Sequence, residues 1–406
     1  MTMQNRTPSV LIAHPGAELY GSDLVLLESV SALVESGVTV TVVVPLDGPL
    51  VTELERRGAA TVFCPTPVLR KAILRPAGAM VFLGDALAGL IAGLRVLHRV
   101  RPDLLYVNTV TLPLWVLLGR LCRLPVVAHI HEAERNASGL VRGLLASPLL
   151  LCRTVITNSE HCVDVVSETF PGLRARAHVI TNPIDGPAHP ATARHDLGES
   201  VRLLYVGRLS ARKGVDVAVR AAARYRATGR SVELHLVGDV FPGYEDYLSG
   251  LHRLVHTVGL DSSVHFHGYQ RDVWPFLAAS DIVLVPSVLE EGFGNTAAEG
   301  TLAARPVIVS DTSGLREASA GFASSLRVPP EDDAALADAI SWIVRDWPRF
   351  RLTAATDRVL ASDRHARAGY RSHIRATVGE ALGPVSPDRA GRAPAGPTLT
   401  TALEEG

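Results

Sequence analysis

The chain alternates short β-branched apolar runs with segments of helical periodicity, and does so twice with a breaker-rich stretch between. Val10-Leu-Ile-Ala13, Val38 to Val44, Leu104 to Val107, Val126 to Ile130, Thr154 to Thr157 and Val179-Ile180 read as strands. Leu24 to Ser36 reads as a helix closed by Gly37. A second series runs through Val201 to Val206, Val232 to Val237, Val264 to His267, Ile282 to Val285 and Pro306 to Val309. Strands this continuously apolar belong in parallel sheets covered on both faces, so the fold class is doubly wound α/β. Asn182-Pro-Ile-Asp-Gly-Pro-Ala-His-Pro190 divides the series as a linker. The expected organisation is residues 1–185, residues 186–362, a helix over 363–382 and a disordered tail over 383–406. Asp338 to Val344 reads as a further helix. The tail contains Pro384, Pro387, Pro394 and Pro397 and little to bury. Two similar halves joined by a linker imply a cleft.

Composition narrows the classes. A length of 406 residues is too much for one core. Lys plus Arg total 40 against 41 acids, which gives no reason to expect nucleic acid. Cys64, Cys122, Cys152 and Cys162 include no Cys-x-x-Cys pair, so neither a disulfide framework nor a zinc site is indicated, and a reducing cytosol fits. The polar start is no signal peptide. No stretch reaches the ~20 apolar residues of a membrane span. Leu140 to Val155 comes nearest, interrupted by Arg142, Pro148 and Arg153, and reads as a buried helix. Abundant Ala, Val and Arg point to a GC-rich bacterial genome.

Two motifs of the second half carry chemistry. Gly207-Arg208 follows a strand directly, with Lys213-Gly214 beyond. Ligands of doubly wound sheets bind past the carboxyl ends of strands. There a guanidinium and an ammonium suit a diphosphate. Glu291-Gly-Phe-Gly-Asn-Thr-Ala-Ala-Glu299 follows another strand, with Glu290 before it. Gly292 and Gly294 let main-chain N–H groups face a ligand, Asn295 or Thr296 caps a helix from Ala297, and the helix N-terminus favours phosphate. Glu291 then lies near a sugar, and Glu299 one turn into the helix accepts hydrogen bonds from ribose hydroxyls. Cations, carboxylates and a helix N-terminus together describe a nucleotide-sugar site. The plainer readings are a solvated basic loop and a capped helix with surface acids.

These residues, in this order, resemble the retaining glycosyltransferases of family 4, which have the two-domain GT-B fold. Leu236-Val-Gly238-Asp239, Val264-His-Phe-His-Gly268 and Ala279-Ser-Asp-Ile-Val-Leu-Val-Pro-Ser287 extend the match. The resemblance implies that Arg208 and Lys213 hold the donor diphosphate and that Glu291 contacts sugar hydroxyls. It implies that main-chain N–H groups of Phe293, Gly294 and Asn295 line sugar and phosphate, that Glu299 holds the ribose, and that Gly268 and Tyr269 lie near the base. The family often has a bulky aliphatic residue where Asn295 stands. No Asp-x-Asp motif is present, so neither a metal nor another cofactor is expected.

In the first half, His14-Pro-Gly16 leads to Gly21-Ser22-Asp23. By resemblance these three residues form a glycine-rich loop against the donor phosphate and acceptor. His129 and His131 share a strand face by alternation, and the resemblance gives His131 a hydrogen bond to the donor sugar. Glu132 and Glu134 are candidates for binding the acceptor or orienting His131, and Asn108 is a further candidate for binding the acceptor. Asn158-Ser159 ends a strand and reads as a cap for the next helix. Arg70, Lys71, Arg75, Arg95, Arg99 and Arg101 outnumber Asp85 in a stretch rich in apolar residues. Residues 70–101 therefore suggest contact with anionic lipid or a solvated helix face.

The expected activity is transfer of a sugar from a nucleoside diphosphate sugar to a glycan, lipid-linked or small-molecule hydroxyl acceptor. The setting would be polysaccharide or cell-envelope synthesis, in the cytoplasm or at the inner face of the membrane. The rival readings are a nucleotide-sugar epimerase of the same fold and a noncatalytic sugar-nucleotide-binding subunit.

Overall fold

The structure is a computed structural model describing residues 6–69, 76–132, 135, 138–187, 189–241 and 243–383. Glu134, residues 70–75 of the basic stretch and the tail beyond 383 lie outside them. The chain divides into two units, one of residues up to Pro183 together with those from Arg367 onward, the other Ile184–Ala366.

In the first unit the strands are β1 (Ser9–Ala13), β2 (Thr39–Val44), β3 (Ala60–Phe63), β4 (Leu104–Val107), β5 (Val126–Ile130), β6 (Thr154–Thr157) and β7 (Ala177–Val179). They form one parallel sheet in the order β3-β2-β1-β4-β5-β6-β7. The second unit has β8 (Ser200–Val206), β9 (Ser231–Val237), β10 (Val264–Phe266), β11 (Ile282–Val285), β12 (Val307–Ser310) and β13 (Ser325–Val328). These are also all parallel, ordered β10-β9-β8-β11-β12-β13. The central strands β1, β4 and β11 are buried throughout, as continuous apolar runs require.

The reading from sequence missed β3 and β13, and both are edge strands. Each is short and part-exposed, with Phe63 on one and Arg327 on the other open to solvent, so neither carries a full apolar run. Leu140 to Val155 is not a buried helix. It breaks into a helix Gly139–Ala146, a 3-10 turn Ser147–Leu151 and the start of β6. Pro148 stops the helix, and Leu144 is exposed. The expected helix over 363–382 is two pieces, the end of helix Trp347–Arg364 and a separate helix Arg367–Leu382. The break falls at His365, whose carbonyl accepts the N–H of Ile184 at 3.1 Å. Asp338 to Val344 lies inside a longer helix, Asp333–Arg345.

Helix Arg367–Leu382 belongs to the first unit. Its Tyr370, Ile374 and Val378 share a core with Val25, Leu26 and Val30 of helix Gly21–Glu35. Buried Glu28 accepts hydrogen bonds from Arg371 Nε and Nη2 at 2.9 and 2.6 Å, which ties the two helices together.

Candidate functional site

In each sheet the strand order reverses once, between β1 and β4 and between β8 and β11. At such a switch point neighbouring loops diverge and leave room for a ligand.

In the second unit Gly207 leaves β8 with φ +147°, and Lys213 ends a single 3-10 turn before Gly214 at φ +67°. A Cβ on Gly214 would lie 1.9 Å from the carbonyl oxygen of Pro286. Only glycine lets the loop after β8 approach the loop after β11 this closely. That approach makes the central contact. Lys213 Nζ donates to Glu291 Oε2 at 2.8 Å, and Ser287 Oγ donates to Glu291 Oε1 at 2.7 Å. Burial pushes the Glu291 carboxyl up, but Lys213 and the hydroxyl of Ser287 outweigh it and leave its pKa below the usual value. Arg212 strengthens the junction by donating to the Glu290 carbonyl at 2.6 Å. Glu290 accepts the N–H of Ser313 at 2.9 Å, at the start of helix Ser313–Ala318. Arg208 stacks on Phe241, its guanidinium carbon 3.2 Å from the ring centre.

Helix Asn295–Leu302 starts two residues before the expected Ala297, so neither Asn295 nor Thr296 is its cap. The cap is Gly294, with φ +107°, and a Cβ there would meet Leu315 at 2.6 Å. Thr296 instead donates its hydroxyl to the Val206 carbonyl at 3.2 Å, which fixes the first turn to the end of β8. The Phe293 ring is buried edge-on against His365. Glu299 is half-buried and has no hydrogen-bond partner among the described residues. Burial raises its pKa to about 7, against a downward pull from Lys213. Gly268 has φ +65° and accepts the N–H of Gly238 at 2.8 Å, and Tyr269 beside it is exposed.

In the first unit, Gly21, Ser22 and Asp23 are not a loop. They are the first turn of helix Gly21–Glu35. Asp23 stands third in that helix and accepts the N–H of Tyr20 at 2.7 Å, so the helix begins at Gly21 rather than Leu24. The other oxygen of Asp23 takes His14 Nε2 at 2.7 Å. Asn108 links His14 Nδ1 (3.0 Å) to His131 Nε2 (3.1 Å). Glu132 accepts from Thr109 Oγ1 at 2.8 Å and from the His131 N–H at 3.2 Å, so it braces the strand end. His129 is a core histidine, bonded to the Tyr106 hydroxyl through Nδ1 at 2.6 Å. Ser159 caps helix Glu160–Thr169 through the N–H of Cys162.

Sequence reasoning missed His14 and Ser287. The available signal was position, since each follows a strand at a switch point as Gly207 does. Among the described residues no group of three or more His, Cys, Asp or Glu is placed to hold a metal ion.

The model described as Glycosyl transferases group 1 matches residues 200–346, and the model described as Glycosyltransferase Family 4 matches residues 21–186. The chain belongs to glycosyltransferase family 4. The two matches take in Gly207 to Glu299 on one side and Asp23, Asn108 and His131 on the other. His14 lies outside them.

Among curated family relatives, the glycogen synthase of Mycobacterium tuberculosis is 31% identical over 241 residues, 57% of this chain and 57% of that protein. The D-inositol 3-phosphate glycosyltransferase of Nocardia farcinica is 31% identical over 255 residues, 56% of this chain and 55% of that protein. The matched part thus spans a little over half the length of these relatives. The solved structure of Anabaena HepE in complex with UDP-glucose superposes with a TM-score of 0.77 at 22% identity, covering 92% of this chain and 99% of that one. The fold is GT-B.

Proposed function

We propose that this protein transfers a sugar from a nucleoside diphosphate sugar to a hydroxyl acceptor, with anomeric configuration retained. The carrying observation is Lys213 at the β8–β11 switch point, bonded to buried Glu291 and within electrostatic reach of the unpartnered Glu299. The curated relatives include named glycosyltransferases, and HepE was solved with UDP-glucose, which supports this class of donor.

In this reading Arg208 and Lys213 neutralise the diphosphate and stabilise it as it leaves. A diphosphate competes with Glu291 for the Lys213 ammonium, and the freed Glu291 oxygen then accepts a sugar hydroxyl. Glu299 accepts ribose hydroxyls, Gly268 and Tyr269 flank the base, and amides at the start of helix Asn295–Leu302 face the phosphate and sugar. No carboxylate is an evident nucleophile of the glycosidase kind. The acceptor hydroxyl attacks from the face the nucleotide leaves, and the departing phosphate takes its proton. The protein contributes position and charge.

Thermal melts with UDP, GDP, dTDP and ADP and their common sugars, beginning with UDP-glucose, test the donor site. One nucleotide is expected to raise the melting temperature by mass action. Nucleoside diphosphate should then appear only when acceptor is present. Release without acceptor, or no binding by any donor, removes this reading. Arg208, Lys213 and the helix N-terminus replace a divalent ion here, so activity is expected to survive EDTA. A strict Mn²⁺ requirement contradicts that.

Among the described residues no helix is long and apolar enough to cross a membrane. Helix Pro76–Val100 carries exposed Leu87 and Ile91 in line with exposed Arg95 and Arg99, four residues apart along one stripe. This supports residues 70–101 as a peripheral contact with anionic lipid. Sedimentation with phosphatidylglycerol vesicles, lost on Arg95→Glu/Arg99→Glu, is the expected result. Equal sedimentation with neutral vesicles counts against it.

A further inference from the structure

Four polar side chains of the first unit, drawn from three strand ends and a helix start, form one directional hydrogen-bonded chain. Asp23 Oδ1 lies 2.7 Å from His14 Nε2, His14 Nδ1 lies 3.0 Å from Asn108 Nδ2, and Asn108 Oδ1 lies 3.1 Å from His131 Nε2. Asp23, His14 and Asn108 are all buried. Each follows from its place in the fold. His14 comes directly after β1, Asn108 directly after the adjacent β4, and His131 directly after β5, the next strand over. Asp23 is held by its own cap bond to Tyr20.

The chain has one sense. Facing a carboxylate, a neutral His14 carries its hydrogen on Nε2 and offers a lone pair at Nδ1. The Asn108 amide group donates to that lone pair, which leaves its carbonyl oxygen facing His131. His131 must then carry hydrogen on Nε2, and its Nδ1 keeps a lone pair. That Nδ1 is buried and has no partner among the described residues. Burial, and secondarily the nearby His14, push the His131 pKa down to about 3, so the ring is neutral at ordinary pH. An acceptor without a partner in a buried position is costly unless a ligand completes it.

We propose that the Asp23–His14–Asn108 relay selects the tautomer of His131 that presents a hydrogen-bond acceptor at Nδ1 to a sugar hydroxyl. Asp23, His14 and Asn108 are then positioning residues, and Asp23 acts from the first turn of a helix rather than from a loop. This rests on the donor-binding reading above. It adds a selection rule, because a sugar lacking that hydroxyl leaves the lone pair unmet. It also explains a buried Asp-His pair that phosphate binding does not require.

Asp23→Asn tests the relay with almost no change in shape. The asparagine oxygen still accepts the Tyr20 N–H, but its amide donates to His14 Nε2. His14 must then carry hydrogen on Nδ1, Asn108 turns its oxygen toward His14, and its amide donates to His131 Nε2. His131 is forced into the Nδ1–H form. Long-range ¹H–¹⁵N spectra of the full chain distinguish the two forms without any activity measurement. The expected result is the Nε2–H form of His131 in the native protein and the Nδ1–H form in Asp23→Asn. kcat is expected to fall roughly 10–10²-fold, the scale of one buried hydrogen bond lost from the sugar hydroxyl to Nδ1 and remade only in the reverse sense, with the nucleotide KM nearly unchanged.

An unchanged His131 tautomer in Asp23→Asn overturns the relay. An inverted tautomer with unchanged kinetics upholds the relay and overturns the placement of His131 against a sugar hydroxyl. If Asp23→Asn fails to fold, Asn108→Ala interrupts the chain without touching the helix cap. It is expected to leave His131 as a mixture of both tautomers, and a pure Nε2–H population there also overturns the proposal.

Discussion

Replacing Lys213 with alanine is expected to lower turnover by about 10²–10³, the scale of a lost electrostatic stabiliser in an active site. Arg208→Ala is expected to lose a similar factor. Stability separates the two. Lys213 donates to Glu291, whose carboxylate is buried. Without the ammonium, burial acts on that carboxyl with less to oppose it and drives its pKa up. Lys213→Ala should therefore lose about 1–3 kcal/mol at neutral pH, the cost of a buried charged group left short of a partner. Arg208 is exposed and stacks on Phe241, a contact of about 0.5–1 kcal/mol at such a site, so its variant should melt closer to the native protein. In the native protein the lowered Glu291 pKa adds stability above the unfolded value of 4.5, and that contribution fades as pH falls through the folded value. Steady-state kinetics and melts on both variants check this. Native-like turnover in both would remove the two cations from the chemistry.

Glu299→Gln is expected to stabilise the protein in alkaline buffer while weakening its hold on nucleotide. The folded pKa is about 7 against an unfolded value of 4.5. A raised carboxyl binds its proton more tightly in the folded state, so its contribution is fully present below 4.5 and is lost as pH rises through 7. The difference is on the order of 3 kcal/mol. Glutamine carries no such penalty, so the variant should melt higher than native at about pH 8 and nearly level with it near the unfolded pKa. Nucleotide affinity should fall roughly 10–10²-fold, as expected for losing hydrogen bonds to a charged acceptor. Ribose hydroxyls favour the ionised form, so native binding should release a proton and tighten as pH rises toward 7. Calorimetry in two buffers of different ionisation enthalpy measures that proton. Unaltered affinity in Glu299→Gln would free Glu299 from the ribose.

The legible and illegible parts of this chain divide on physical lines. Strands buried on both faces announced themselves, because β1, β4 and β11 are buried at every position and carry almost nothing polar to dilute the pattern. The edge strands β3 and β13 did not, since one open face admits Phe63 or Arg327 without cost. The two loops at the β8–β11 switch point were legible because glycines, cations and glutamates cluster there within a short span. Gly21-Ser22-Asp23 misled because glycine and serine resemble a loop. The third residue of the group decides the matter by closing a cap on Tyr20.

Local sequence determined most of the elements and placed Gly207, Arg208, Lys213 and Glu291 in loops that follow strands, with Glu299 in the helix after, because side-chain periodicity and glycine freedom act over a few residues. Partner choice was decided only by the tertiary structure. Lys213 meets Glu291 because Gly214 lets the two loops close to a distance no Cβ would tolerate. Glu299 stands without a partner among the described residues, its pKa near 7, because burial, a property of the whole unit, removes water from it. His14, Asn108 and His131 align because β1, β4 and β5 are successive neighbours in the sheet, though 94 positions of chain separate His14 from Asn108. Crossover connections set that order, and no short-range pattern in the chain records it.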